Sequence, residues 1–136
     1  MIEITTKPIL PETIINRVKA NESGCAVCYI GLIRENSRNK KVSSVEYFDS
    51  DGKAKTRLEE IANEACRKWQ LNGISFSHRI GKLKVGDINL VIAVSSGHRE
   101  EGFAACHHVI DRFKEKLPTD KRETYTDGSV YSEYQK

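Results

Sequence analysis

No apolar run in this sequence approaches the roughly 20 residues that span a bilayer, and its first ten residues, MIEITTKPIL, lack the apolar core of a secretory signal. Both absences point to a cytoplasmic chain with no membrane partner. Charge of one sign is nowhere concentrated, since 22 basic residues stand against 19 acidic ones for a net charge of +3. That surplus is too mild to argue for nucleic acid, yet it is compatible with a small anionic substrate. Aromatics are scarce at 7%, and no strand carries the aromatic-rich run on which RNA bases stack. Internal repeats and low-complexity segments are also missing.

Cysteine is too sparse and too badly spaced for a metal centre. Of the four, Cys25 and Cys28 form a CxxC, but Gly24-Cys-Ala-Val-Cys-Tyr-Ile reads as a strand. Residues three apart on a strand point to opposite faces and cannot grip one ion. A redox CxxC belongs at a helix N-terminus instead. With no second CxxC and no close Cys/His pair, the expectation is four buried, reduced thiols and no metal.

What is present is an ordinary globular composition in 136 residues, 30% charged and 38% hydrophobic, enough for one domain spanning 1–136 with one sizeable core. The chain is organised around Asn89 to Glu123. Leu90-Val91-Ile92-Ala93-Val94 is a short β-branched run that reads as a strand buried on both faces. Ser95-Ser96-Gly97 turns the chain into a helix opened by His98-Arg99-Glu100-Glu101, whose acids complement the positive end of the dipole. The helix ends near Leu117, because Pro118 disfavours helical geometry in the residue before it. Free N–H groups at such a turn make an anion site, and His98 and Arg99 stand beside them. Phe103, Cys106, Ile110, Phe113 and Leu117 follow 3-4-3-4 spacing and mark the expected buried stripe. Lys114 falls at the stripe's edge, where a lysine lays its stem on the core and its head in a cleft.

The remaining elements read as follows. Glu12–Lys19 is a short helix. A strand runs from Cys25 to about Ile33, interrupted by Gly31, which marks a bulge or a close backbone approach. Arg34 stands at its end, before the polar loop ENSRNKK, which has little to bury and reads as mobile. Val42–Phe48 is a strand, Lys53–Trp69 a helix, and Ile74–Ile80 a half-buried strand in which His78 is a hydrogen-bonded core residue. Gly81–Asp87 is a turn-rich connector, and Lys121–Tyr125 and Ser129–Glu133 flank a hairpin turn at Thr126-Asp127-Gly128. The order α-β-β-α-β-β-α-β-β gives an α+β fold with a largely antiparallel sheet and a C-terminal hairpin. The exposed edges of that hairpin could be covered by a second subunit.

The series Gly31-x-x-Arg34, Val45-Glu46-Tyr47, His78-Arg79-Ile80-Gly81, Gly86-Asp87, Ser95-Ser96-x-His98-Arg99, Asp111-x-x-Lys114 and Pro118-x-x-Lys121-Arg122-Glu123 resembles the catalytic, large subunit family of molybdopterin synthase. The resemblance implies an α/β hammerhead-like domain that forms a homodimer within a heterotetramer. It implies a small ubiquitin-like sulfur-carrier subunit whose C-terminal Gly-Gly tail is charged as a thiocarboxylate. Sulfur passes from that tail to cyclic pyranopterin monophosphate to form the molybdopterin dithiolene, with no cofactor in the protein itself. By the same resemblance Arg34, His98 and Arg99 bind anions together, Lys114 is the main catalytic lysine, and Lys121 is the second. Leu32, Ile33, Arg122 and Glu123 lie in segments that line the substrate pocket. Thr119-Asp120 stand where the family carries an apolar residue and Trp. A second reading is a divergent, non-catalytic paralogue that dimerises and grips the partner's tail.

Overall fold

The structure, a computed structural model, describes residues 1–135. Its elements run β1 (Ile2–Thr5), α1 (Pro11–Val18), β2 (Cys25–Leu32), β3 (Asn36–Ser37), β4 (Lys40–Phe48), α2 (Ala54–Lys68), β5 (Gly73–Arg79), β6 (Gly81–Leu83), β7 (Ile88–Ser96), α3 (Arg99–Lys116), β8 (Asp120–Tyr125) and β9 (Val130–Glu133). The first sheet has the order β1-β5-β7-β2, and the second has β3-β4-β8-β9 with β6 also paired to β4. Every pairing is antiparallel except β1 with β5. The α+β reading and the C-terminal hairpin, β8 with β9, are therefore observed.

The alternation of β7 builds the core on both sides of the first sheet. Leu90, Ile92 and Val94 pack against α2 and α3, while Val91 and Ala93 pack against Ile14 and Val18 of α1. A strand sandwiched in this way has no solvent face, which is why its apolar run is continuous. The second sheet encloses a smaller cluster of Ile33, Val42, Val45, Tyr47, Leu83 and Tyr125.

Several expectations are corrected. The N-terminal strand β1 has only four residues, too short for its pattern to register, yet it pairs with Ile2 opposite Phe76. The segment after Arg34, read as a mobile loop, forms a short strand, β3, paired with β4. It closes a two-residue hairpin at Ser37–Lys40, where Arg38 and Asn39 take left-handed φ of 55° and 62°, and the Arg38 guanidinium stacks 3.6 Å from the Tyr131 ring centre. The connector after Ile80 contains the strand β6. In β5, Ser75 and Ser77 are buried along with Phe76 and His78, because their hydroxyls bond Met1 O and Glu3 Oε1.

The stripe on α3 is also displaced. Gly102, Ala105, Cys106, Val109 and Phe113 are buried, whereas Phe103 is 62% exposed. A Cβ at Gly102 would stand 2.9 Å from Ser96 Oγ and 3.2 Å from Val27 Cγ2, so the helix meets β2 through its small residues. That close approach turns Phe103 outward. Of the four free cysteines Cys106 alone is buried; Cys25 and Cys28 are half-buried, and Cys66 is exposed one position beyond the inward Ala65.

Candidate active site

A cleft of about 330 Å³ opens in the seam between the two sheets. Its first wall is the end of β2, with Tyr29, Gly31 and Leu32, and the two residues that follow the strand, Ile33 and Arg34. The register with β7 slips between Gly31 and Leu32, and a Cβ at Gly31 would stand 2.7 Å from Asn89 Oδ1. Gly31 thus marks both a bulge and a close approach, and the bulge re-aims the strand's last residues toward the cleft. Arg34 is exposed and free to meet a ligand, while Ile33 is buried beneath it and Leu32 forms an apolar rim.

The second wall comes from β8. Lys121 pairs with Tyr47 and Glu123 with Val45, and alternate positions of β8 place Lys121 and Glu123 on the cleft together. Arg122 is the exception among the expected pocket residues of this strand. It faces the other side, 3.9 Å from Glu46 and 5.0 Å from the Phe48 ring centre, as strand alternation requires. Asp120 is likewise engaged elsewhere, accepting hydrogen bonds from Ser50 Oγ and the Gln135 N–H.

The third wall is the last turn of α3, which delivers Lys114. Lys114 is exposed, and the lysine ion pairs found among the described residues involve Lys40, Lys41 and Lys68 rather than Lys114 or Lys121. The floor is polar. Asn89 Nδ2 donates to Tyr47 Oη at 3.1 Å, and Asn89 Oδ1 is buried with no partner among the described residues. Burial pushes the Tyr47 phenol up to about 12, and Glu123 and Glu133 push the same way while the Asn89 hydrogen bond pulls it back. Tyr47 is therefore a neutral phenol throughout the physiological range, accepting from Asn89 and keeping its own hydroxyl hydrogen.

Tyr29, Ser37, Tyr47 and Asn89 were not among the residues picked out as site candidates. Tyr47 stood in one of the short motifs, and a lone Asn opening an apolar strand was a signal for Asn89. Tyr29 and Ser37 come to the cleft only through the fold.

His98 and Arg99 are not in this cleft. They stand exposed at the N-terminus of α3, His98 in a recess with Glu22, Gln70, Asn72, Gly97 and Glu101. Fifteen residues of helix separate Arg99 from Lys114, roughly 22 Å along the axis at 1.5 Å per residue. One chain cannot bring the two sets onto one small ligand.

Three cations brought from the end of β2, from α3 and from β8 converge with one carboxylate on a polar-floored cleft, an arrangement suited to a small anion and with two lysine amines on its walls. The family model for the MoaE protein matches residues 4–116. The molybdopterin synthase catalytic subunit of Bacillus subtilis is 37% identical over 129 residues, covering 95% of this chain and 82% of its own. That of Thermoplasma volcanium is 34% identical over 128 residues, covering 94% of this chain and 93% of its own. The crystal structure of molybdopterin synthase from Staphylococcus aureus superposes with a TM-score of 0.89 at 32% identity, covering 96% of this chain and 95% of the matched one. The chain belongs to the MoaE family, that of the molybdopterin synthase catalytic subunits. Among the described residues no helix is long and apolar enough to cross a membrane.

Proposed function

We propose that this chain transfers sulfur from a thiocarboxylated small subunit to cyclic pyranopterin monophosphate. The observation that carries the reading is the convergence of Arg34, Lys114 and Lys121 on one cleft whose lining holds a single acid, Glu123. A cyclic phosphate and a thiocarboxylate are both anions, and fixed cations in a partly enclosed site stabilise them without reorganisation. Arg34 offers a planar fork of donors to phosphate oxygens. Tyr47 and Asn89 give the floor a polar surface for the heterocycle.

The chemistry asks for groups that move protons. When the thiocarboxylate sulfur bonds to carbon of the pterin, its acyl group must pass to water or to an amine. The oxygen that leaves as the phosphate ring opens must gain a proton. Lys114 and Lys121 are the amines available for these steps, as acid, base or transient acyl acceptor. The exposed apolar rim at Leu32 suits the edge where a tail would enter. A solved Helicobacter pylori complex pairs subunits 1 and 2 of molybdopterin-converting factor, and one of its chains shares this fold at 14% identity. We assign the same kind of small partner to this chain.

His98 and Arg99 fit the reading only through a second copy. In a homodimer their exposed helix end would complete the partner's cleft, adding anion contacts to Arg34. Isothermal titration of cyclic pyranopterin monophosphate tests the substrate assignment. Arg34→Ala should weaken binding by about 1.5–3 kcal/mol, the scale of a hydrogen bond to a charged group. Equal affinity in wild type and variant at low salt would remove Arg34 from the site.

A further inference from the structure

His78 does not line the cleft, yet it contacts two residues of the cleft floor and the residues that lead into Lys114 and Lys121. It is fully buried in β5. Its Nδ1 lies 2.8 Å from Asn89 O and its Nε2 lies 3.1 Å from Thr119 Oγ1. A carbonyl oxygen only accepts, so Nδ1 carries the proton and Nε2 is left as an acceptor. The Thr119 hydroxyl must then donate to Nε2. The ring also meets the edges or faces of Tyr47 and Phe113 at centre distances of 5.0 and 5.3 Å, both near perpendicular.

Each of these partners adjoins a cleft residue. Asn89 and Tyr47 form the floor. Phe113 immediately precedes Lys114. Thr119 lies in the buried link Leu117-Pro118-Thr119, which joins the helix of Lys114 to the strand of Lys121. That link has a second anchor, the Arg57 Nη1–H donating to Pro118 O at 3.1 Å. Its first residue, Leu117, holds a left-handed φ of 23°, a conformation that surrounding contacts must maintain.

We propose that His78 and Thr119 are a positioning pair, in which the imidazole fixes the link between α3 and β8 and thereby the relative placement of Lys114 and Lys121. An apolar side chain at 78 would fill the same core. A neutral imidazole with both nitrogens engaged does more, because it fixes distance and direction at once. Displacement of about 1 Å in a reacting group lowers rates by up to roughly 100-fold. The kinetic consequence rests on the sulfur-transfer reading, whereas the positioning itself does not.

Thr119→Val removes the hydroxyl and keeps the shape; Thr119→Ser keeps the donor. In single-turnover sulfur transfer, Thr119→Val should lower the rate at saturation by about 10- to 100-fold while the half-saturating precursor concentration stays within about twofold. Thr119→Ser should recover most of the wild-type rate. In ¹⁵N-histidine and backbone spectra of the protein alone, Thr119→Val should shift His78 Nε2 and also the amides of Lys114 and Lys121, and Thr119→Ser should return them. A folded Thr119→Val protein with wild-type rate overturns the proposal, as does a shift at His78 Nε2 that leaves both lysine amides unmoved. Equal rate losses in the Val and Ser variants also overturn it, since a shared loss reports packing rather than the hydrogen bond. If wild type itself makes no product, the sulfur-transfer reading fails, and the lysine amide shifts alone decide the positioning pair.

Discussion

Lys114 stands on the exposed last turn of α3 and packs no core, so its truncation tests chemistry separately from folding. Lys114→Ala should lose product formation by at least about 100-fold, the lower scale of acid–base catalysis, with an unchanged melting temperature. His78 gives the opposite kind of test. Burial holds its imidazole down to about 4 against an ordinary 6.5, so between those values the unfolded chain takes up a proton that the folded one refuses. Stability should therefore be flat above about pH 6.5, fall as pH drops toward 4, and lose on the order of 3 kcal/mol across that window. His78→Phe should flatten this slope in denaturant titrations at pH 4.5 and 7. An equally steep fall in the variant would assign the acid sensitivity to other groups. The histidine was legible in the sequence as a hydrogen-bonded core residue. Its partner Thr119 was not, because a contact across 41 positions leaves no local pattern.

At the scale of elements, periodicity found the three helices and the longer strands but not the devices that place them. The α3 stripe was misjudged by about one position because the pattern weighted Phe103 over Gly102. Hydrophobic spacing ranks a large side chain as core, whereas close helix–strand packing here needs the smallest one. The hairpin at Ser37–Lys40 was missed for a related reason, since its turn residues are Arg38 and Asn39 rather than the usual Asn-Gly. A similar close approach joins α1 to β5, where a Cβ at Gly73 would lie 2.9 Å from both Val18 Cα and Val18 O. Those are backbone atoms that cannot swing aside. Gly73→Ala should destabilise the fold by about 1–3 kcal/mol, the usual cost of overpacking. Thermal melts check this, and a melting temperature equal to wild type would mean that α1 shifts freely on the sheet.

The whole molecule explains why a candidate site read from sequence came apart in one chain. Arg34, Lys114, Lys121 and Glu123 were legible through short motifs and meet in the cleft, while Arg122 turned away by strand alternation and His98 and Arg99 fell at the far end of a helix. A motif gives no information about which copy of the chain supplies a residue. If the two sets meet across a two-fold dimer, coexpressed Lys114→Ala and Arg99→Ala chains form mixed dimers with one intact cleft and one doubly defective cleft. Such dimers should recover about half of the wild-type rate although each parent homodimer is inactive. Mixed dimers as inactive as their parents would contradict completion across the dimer, and a fully active Arg99→Ala homodimer would place Arg99 outside the reaction.

The central claim is sulfur transfer at the lysine cleft. The most direct measurement is a single turnover of the wild-type chain with its small partner charged as a thiocarboxylate and with cyclic pyranopterin monophosphate, read as dithiolene product beside the Lys114→Ala protein. The account predicts product from wild type and almost none from the variant, although both bind the small partner alike. Binding without product in the wild type, or equal product in both, would contradict it.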